Sequence, residues 1–382
     1  KFAILDPKDG HTYLSGIAEA LGLDEARISW RFEGQDKEKA SLGAGAGHDR
    51  ALEFLVKNIM SQNEELHDSI VSCGHRIVQG GDIYSEPTLI DDEVVANIAK
   101  VIPFAPLHNP AHILGIESAR KNFPDIPHVA VFDTAFHQTM PPKAYRYAIP
   151  ETYYTDLHLR KYGAHGTSHM YIAQETAKFL NKPLEETNII TCHLGNGASV
   201  SAVKGGKCMD TSMGLTPLDG LVMGTRCGSI DASVVFFLCD RLNMTPEQVK
   251  DVFNKVSGIS SDMRPIEEGY LKGEPKCVLA FDIYAYRLAK FIASYYVPLG
   301  HVDAISFAGG IGENSDIIRK LTCDLLKEPF GLEIDDELNS KFMGFKGNGS
   351  GKISTENSKS AVFMVQTNEE LMIARSAMKF VK

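Results

Sequence analysis

The sequence predicts an α/β protein made of two related halves with a cleft between them. Three observations carry this. Strand-like and helix-like stretches alternate along the chain. A strand–turn–strand theme at the amino-terminal end returns near the middle. The 382 residues, 43% hydrophobic and 23% charged, are an ordinary globular mixture, long enough for two or three domains with substantial cores.

Taken in order, Phe2 to Leu5, a turn near Asp9-Gly10, and His11 to Leu14 read as a hairpin. Val129 to Phe132 is a buried-strand run ending at Asp133. Ile189 to Cys192 and Ala198 to Val203 flank the tip His193-Leu194-Gly195-Asn196-Gly197, and a Gly205-Gly206 turn leads to Cys208 to Thr211. That tip is rich in donors and poor in bulk, so its backbone can approach a phosphate closely. Ala304 to Ala308 reads as a strand, Gly309 to Gly312 as a tight turn, and Asn314 or Ser315 as the cap of the next helix. Strand, glycine turn and helix start make a ready anion or nucleotide site. Ala361 to Val365 precedes a terminal helix, where Thr367 and Glu370 fit a capping box and leave Glu369 facing the cleft.

Composition removes several classes of function. A net charge of −10 argues against nucleic acid as the main partner, although local basic clusters can still hold a small anion. No apolar run approaches the roughly 18 residues of a membrane span. Asp6 and Lys8 interrupt the opening too early for a secretory signal. A cytosolic chain acting on small molecules is expected. The seven cysteines are scattered, odd in number and without a C-x-x-C pair. They read as buried small hydrophobes in a reducing cytosol, not as metal ligands or a disulfide framework.

Charged residues then mark candidate chemistry. Arg76 lies in Gly74-His75-Arg76-Ile77-Val78-Gln79-Gly80-Gly81, and Arg226 in Met223-Gly224-Thr225-Arg226-Cys227-Gly228. Arginines in glycine-rich turns suit forks aimed at carboxylate or phosphate oxygens. Histidines cluster at His108, His137, His165 and His169. The spacing of the last two could suggest zinc, but Gly166, Thr167 and Ser168 place His165 before the helix and no H-E-x-x-H pattern occurs. Neither a P-loop nor the dinucleotide fingerprint is present, Ser315 standing where the third glycine would fall.

Together these blocks resemble the acetate kinases, within the acetate and sugar kinase, Hsp70 and actin superfamily. The resemblance covers nearly the whole chain. It rests on Gly74 to Gly81, Ala105 to Pro110, Val131 to Pro141, Tyr162 to His169, His193 to Ser199, Asp210 to Pro217, Met223 to Gly228, Gly309 to Asn314, and Thr367 to Glu370. It implies two duplicated ribonuclease H-like (actin-like ATPase) domains about a central cleft. The first would span 1–133 plus 370–382, with its first strand missing before residue 1. The second, 134–369, would bind nucleotide and form a homodimer. The implied reaction is reversible transfer of the ATP γ-phosphoryl to acetate, giving acetyl phosphate and ADP with magnesium, manganese being a possible substitute.

Carried over block by block, Arg76 and Arg226 resemble the forks on the acyl carboxylate and phosphoryl oxygens, and His165 the transition-state donor. Asp133 resembles the catalytic aspartate and Glu369 the magnesium ligand. His193, Leu194, Gly195, Asn196, Gly197 and Lys1 resemble phosphate contacts. Gly309, Gly310, Ile311, Gly312 and Asn314 resemble the adenosine pocket. Val78, Leu107 and Pro217 fall where the family lines its methyl pocket, with His108 as a supporting donor. Valine at 78 leaves less room than the alanine of propionate-preferring relatives, favouring acetate, while Ala164 in place of a phenylalanine loosens the same pocket. Three departures stand out: the chain opens at the lysine of the family's phosphate-contacting turn, residues 254–262 are shorter than its Ser-Gly loop, and Gln79 replaces a usual histidine. A propionate or other short-chain acyl kinase, and a non-acyl ATPase switch of the superfamily, remain alternatives. A nicotinamide dehydrogenase is excluded chiefly by the missing fingerprint.

Overall fold

The computed structural model describes residues 1–106 and 108–381, so Leu107 lies outside the described residues. Two units divide the chain: Lys1–Ala135 with Asn368–Lys382, and Phe136–Thr367.

In the first unit, β1 (Phe2–Leu5), β2 (Thr12–Glu19), β3 (Arg27–Phe32) and β4 (Glu38–Ser41) form an antiparallel meander in that order. The expected first hairpin is therefore longer than Leu14 and has two further strands. Ser15-Gly16 looks like an interruption in sequence. Gly16 stays in strand because a Cβ there would meet the Phe2 ring at 2.2 Å, so the bare backbone lets Phe2 pack across it. Leu14, Ile28, Trp30 and Phe32 bury one face of the meander with Ala51, Leu55 and Ile59.

A second sheet in this unit has the order β5-β7-β6, from β5 (Cys73–Ile77), β6 (Thr88–Leu89) and β7 (His128–Phe132). Strands β5 and β7 are parallel, and the crossover between them carries the helices Asp92–Lys100 and Asn109–Asn122. Alternation along the pleat sends Ile77, Ala130 and Phe132 toward Val94, Ile98 and Ile116 of those helices. The opposite face, Val129 and Val131, packs on Ala377 of the terminal helix Glu369–Met378.

The second unit holds a six-stranded sheet of order β10-β9-β8-β11-β13-β12. Its strands are β8 (Asn188–Leu194), β9 (Ala198–Lys204), β10 (Lys207–Thr211), β11 (Ala304–Ala308), β12 (Gly351–Lys352) and β13 (Ala361–Met364). Strand β11 runs parallel to both β8 and β13, while β8, β9 and β10 form an antiparallel meander. One face buries Ile190, Cys192, Val200, Ala202 and Phe307 with Phe281, Leu288 and Ile292 of the long helix Pro275–Leu299. The other face is covered by Ile172, Ala173 and Ala177 of the helix Gly166–Phe179. Each unit thus joins an antiparallel meander to parallel strands, in one sheet in the second unit and in two sheets in the first.

Two punctuation marks differ from expectation. Gly309–Asn314 is a short helix of its own, not a tight turn. Gly309 takes φ +77°, where a Cβ would lie 2.8–3.0 Å from the Leu194 backbone, and its N–H donates to Glu313 Oε1 at 3.0 Å. Ser315 then caps the helix Asp316–Phe330 through Ile318 N–H. The terminal helix is capped by Asn368, whose Oδ1 accepts from Leu371 N–H at 3.0 Å, so no Thr367–Glu370 box forms. The Thr367 hydroxyl is engaged by Ser168 Oγ at 2.9 Å, which takes it away from the cap. Among the described residues no helix is long and apolar enough to cross a membrane.

Candidate active site

The site residues form two sets, one in each unit. In the first, Arg76 sits in strand β5 rather than in a turn, and Asp133 follows the end of the neighbouring β7. Parallel register brings them together. Arg76 Nε donates to Asp133 Oδ1 at 3.0 Å and Nη2 to Oδ2 at 2.8 Å, a bidentate pair. Asp133 is 1% exposed and Arg76 39%, so the pair has one dry and one wet partner. Glu369, in the first turn of the terminal helix, approaches Arg76 Nε at 3.4 Å. Asp133 foremost, then Glu369 and Glu370, hold the guanidinium firmly charged. Burial raises the Glu369 carboxyl above its ordinary range against the pull of Arg76, and the neighbouring Asp133 and Glu370 add to the rise. Two carboxylates around one arginine leave a negative excess of oxygen ligands, a donor set that fits a hard divalent cation such as magnesium. The Arg76 edge formed by Nε and Nη2 is spent on Asp133, which leaves the second Nη2–H and both Nη1–H donors, the Nη1/Nη2 edge, for an anion.

Around this pair, Val78 is 8% exposed at the end of β5. Gln79 is buried, its Oε1 accepting from Gly81 N–H at 2.9 Å, so the residue that replaces a histidine serves as a turn cap. Buried Asn109 donates to Gln79 O at 2.9 Å and follows His108, the N-cap position of its helix. Lys1 is exposed ahead of β1 in the same unit.

The second set is built on the β8–β9 hairpin. His165 precedes the helix Gly166–Phe179 as expected, and adopts a left-handed backbone, φ 58°, which is costly for a non-glycine residue. Its ring lies 4.3 Å from that of His193. His165 Nδ1 bonds Ser199 Oγ at 2.9 Å, Ser199 Oγ bonds His169 Nε2 at 2.7 Å, and His169 Nδ1 bonds Thr191 Oγ1 at 2.8 Å. His193 Nδ1 is held by Ser168 Oγ at 2.7 Å. A methyl group on Gly197 would stand 3.3 Å from His165 Nε2 and 3.4 Å from Arg226 Nη1, so both side chains converge on that glycine.

Arg226 donates from Nη1 to Pro217 O at 3.0 Å, and among the described residues it has no ion pair. Burial lowers its pKa from the ordinary value. A half-buried guanidinium without a carboxylate partner is suited to an anion. Asn196 sits at the hairpin tip, its carbonyl accepting from Gly224 N–H at 3.2 Å, while Gly195 N–H closes the turn on Gly197 O at 3.0 Å. Leu194 is part of the core.

Further along the sheet, Glu313 Oε1 accepts from Gly309 and Thr367 N–H, tying the short helix Gly309–Asn314 to the end of the unit. Asn314 is used at both ends of its amide, toward Gly310 O and Phe345 N–H. Fully buried Arg319 anchors Gly312 O at 2.8 Å and Asn339 O at 2.7 Å. Gly310 and Ile311 lie on that helix, Gly310 with open space beside its Cα. Ala164 is packed into the core of the unit.

Sequence reasoning missed Ser168, His169, Thr191, Ser199 and Arg319 as supports. The signal was present for two of them: His169 lies one turn after His165, and Ser199 closes the hairpin block.

An α/β protein whose imidazoles, guanidinium groups and glycine turns gather at strand ends belongs to the class of enzymes that handle anions. Residues 1–375 match the acetokinase family. The acetate kinase of Shewanella woodyi is 50% identical over 388 aligned residues, covering 100% of this chain and 96% of that protein. The solved structure of a propionate kinase from Francisella tularensis matches with TM-score 0.92 and 41% identity, covering 99% of this chain and 96% of that one. The acetate kinase structure from Porphyromonas gingivalis matches with TM-score 0.92 and 36% identity, covering 100% and 96%. The chain belongs to the acetokinase family. Its fold is the duplicated actin-like ATPase fold, and its enzyme class is a kinase that phosphorylates a carboxylate.

Proposed function

We propose that the protein transfers the γ-phosphoryl group of ATP reversibly and in line to acetate, with magnesium as the divalent ion. The observation that carries this is the unpaired Arg226 guanidinium converging with His165 on Gly197. A carboxylate acceptor has a pKa far below 7, so it arrives ionised and needs no general base. The residues must instead bring two anions together and supply donors to the charge of the moving phosphoryl group.

In this reading Arg226 and Arg76 Nη1 hold acceptor and phosphoryl oxygens. The chain of contacts Thr191–His169–Ser199–His165 Nδ1 fixes the His165 ring so that Nε2 lies on the Gly197 side, beside Arg226. Asp133 fixes the Arg76 fork and, with Glu369, would hold the cation. That cation, when bound, neutralises phosphate charge. His193, Asn196 and the backbone of Gly195 and Gly197 serve the ATP phosphates, and Gly309 to Asn314 the adenosine. Acetate is favoured over propionate because Val78 is a buried branched side chain at the end of β5. One methylene is worth about 1–3 kcal/mol, so preference of roughly 10- to 200-fold in kcat/KM is expected from an acyl panel.

A homodimer through the second unit is part of the reading. Phe236, Phe237 and Leu242 on Ser233–Leu242, and Leu279, Ile283 and Tyr286 on the long helix, are exposed apolar side chains that a second copy would cover. Solution scattering that shows only monomer at high concentration would count against it.

The deciding experiment is ATP formation from ADP and acetyl phosphate with Mg²⁺, comparing the wild type with Arg226→Ala. Robust wild-type turnover, lost by a factor of about 10² or more in the variant, supports the assignment. Full activity in a folded Arg226→Ala protein would overturn it.

A further inference from the structure

Strand β5 carries two kinds of chemistry on its two faces. Gly74 and Arg76 point toward the terminal helix, where a Cβ on Gly74 would meet Ile373 at 2.5 Å. Cys73, His75 and Ile77 point the other way, toward the helices of the crossover. Parallel register sets Cys73 beside His128, the first residue of β7. The result is a cluster that sequence could not show, because Cys73 and His128 are far apart along the chain. One ligand atom from each of Cys73, His75 and His128 lies within 4.8 Å of the others.

We infer that Cys73, His75 and His128 form a binding site for a single zinc ion, separate from the magnesium chemistry of phosphoryl transfer. Three features support it. The spacing is near what the metal needs. His75 Nε2 and His128 Nδ1 are 3.0 Å apart, whereas two nitrogens at about 2.0–2.1 Å from a tetrahedral zinc stand about 3.3 Å apart. The ring centroids stand 5.3 Å apart, so the rings meet end to end along their hydrogen bond, and each must turn by roughly 35° for its lone pair to reach a shared ion. The second feature is orientation. His128 Nε2 donates to Phe123 O at 2.9 Å, which fixes its tautomer and turns a bare Nδ1 into the cluster. Third, the ligands suit a borderline-soft ion and not magnesium. Cys73 is in no disulfide, so its sulfur is available as a ligand.

Binding balances simply. The Cys73 S–H bond breaks, a Zn–S bond forms, and one proton leaves to solvent. His75 moves its proton from Nε2 to Nδ1, with no net release. His128 Nδ1 contributes its lone pair directly. Cys73 and His75 are only half-buried, so water can take the fourth position.

The test uses the full chain, stripped with a chelator and returned to buffer containing Mg²⁺, titrated with Co²⁺ as the spectroscopic substitute for zinc. One Co²⁺ per chain should give a thiolate-to-cobalt charge-transfer band, and Zn²⁺ should displace it. Cys73→Ser should abolish the band and weaken binding more than about 100-fold, with its Mg²⁺-dependent phosphotransfer unchanged in zinc-free buffer. His128→Asn should weaken binding comparably. Zinc should raise the melting temperature of the wild type and not of Cys73→Ser. Absence of a stoichiometric band in the wild type overturns the proposal without any variant. So does a band that persists in Cys73→Ser, since six other cysteines are present to supply it.

Discussion

Gly197 is the residue on which the phosphoryl set depends most narrowly. Its backbone is ordinary, so alanine costs no left-handed strain there. The added methyl would nevertheless press on His165 and Arg226 at 3.3 and 3.4 Å. Both are active-site donors in the proposed mechanism, and misplacement by a few tenths of an ångström is expensive where donors must meet a transition state. Gly197→Ala is expected to lower kcat by about tenfold or more while leaving the melting temperature close to wild type. Steady-state kinetics beside thermal unfolding checks this, and an unchanged kcat would show that the convergence has no bearing on turnover. Arginine chemistry at this level was only half legible in the sequence. Arg226 has no ion pair among the described residues, its Nη1 donating to Pro217 O. Arg76 was expected to present its whole fork, and its pairing with Asp133 depends on a β5–β7 register that no local pattern announces.

Strands and helices with strong apolar runs, such as β7, β8 and β11, were plain from sequence because burial on both faces makes them continuously hydrophobic. Strands β3 and β4 were not read, since Arg27, Arg31 and Lys39 occupy the exposed face and Glu38 breaks the apolar alternation of the short edge strand. The short helix at Gly309 was missed for a different reason: glycine is a weak helix former, and tertiary contacts with Leu194 and Glu313 decide the conformation. The start of the Gly166–Phe179 helix depends on a comparable contact. Gly163 has φ +76°, and a Cβ there would lie 2.6 Å from His137 Cδ2 and 2.7 Å from Thr211 Cγ2. Gly163→Ala therefore combines a disfavoured backbone with overlap in a packed wall. It should destabilise the protein by about 2–4 kcal/mol, read by denaturant unfolding. A loss below about 0.5 kcal/mol would mean that the segment shifts freely, and that the left-handed His165 beside it is not held by packing.

The chain as a whole buries several imidazoles without charging them, and this sets how its stability responds to acid. His169 is fully buried, hydrogen-bonded to Thr191 and Ser199, and faces His137 and His193; burial first, then those two rings, keep its pKa well below the ordinary value. His112 is pushed down to about 4, chiefly by burial, against an opposing pull from Asp133, and its Nε2 has no hydrogen-bond partner. Above about pH 6.5 these rings are neutral in both the folded and unfolded chain, and their contribution to stability is complete. As pH falls below that value the unfolded chain takes up protons that the folded chain refuses, so stability drains away until the folded pKa is reached. For His112 alone the loss by pH 5 is on the order of 2 kcal/mol. Glu369 works in the opposite sense, because a raised carboxyl pKa penalises the folded state at neutral pH and relaxes as pH falls. Glu267 and Glu313, also raised by burial, act in the same sense as Glu369, but the four depressed imidazoles His75, His112, His128 and His169 begin to lose stability at higher pH and should dominate between pH 7.5 and 5. Thermal unfolding between pH 7.5 and 5 should show a steady fall in melting temperature, with a shallower slope in His112→Leu. A flat profile in the wild type would mean that these rings gain protons without unfolding, and that the interior around them admits water.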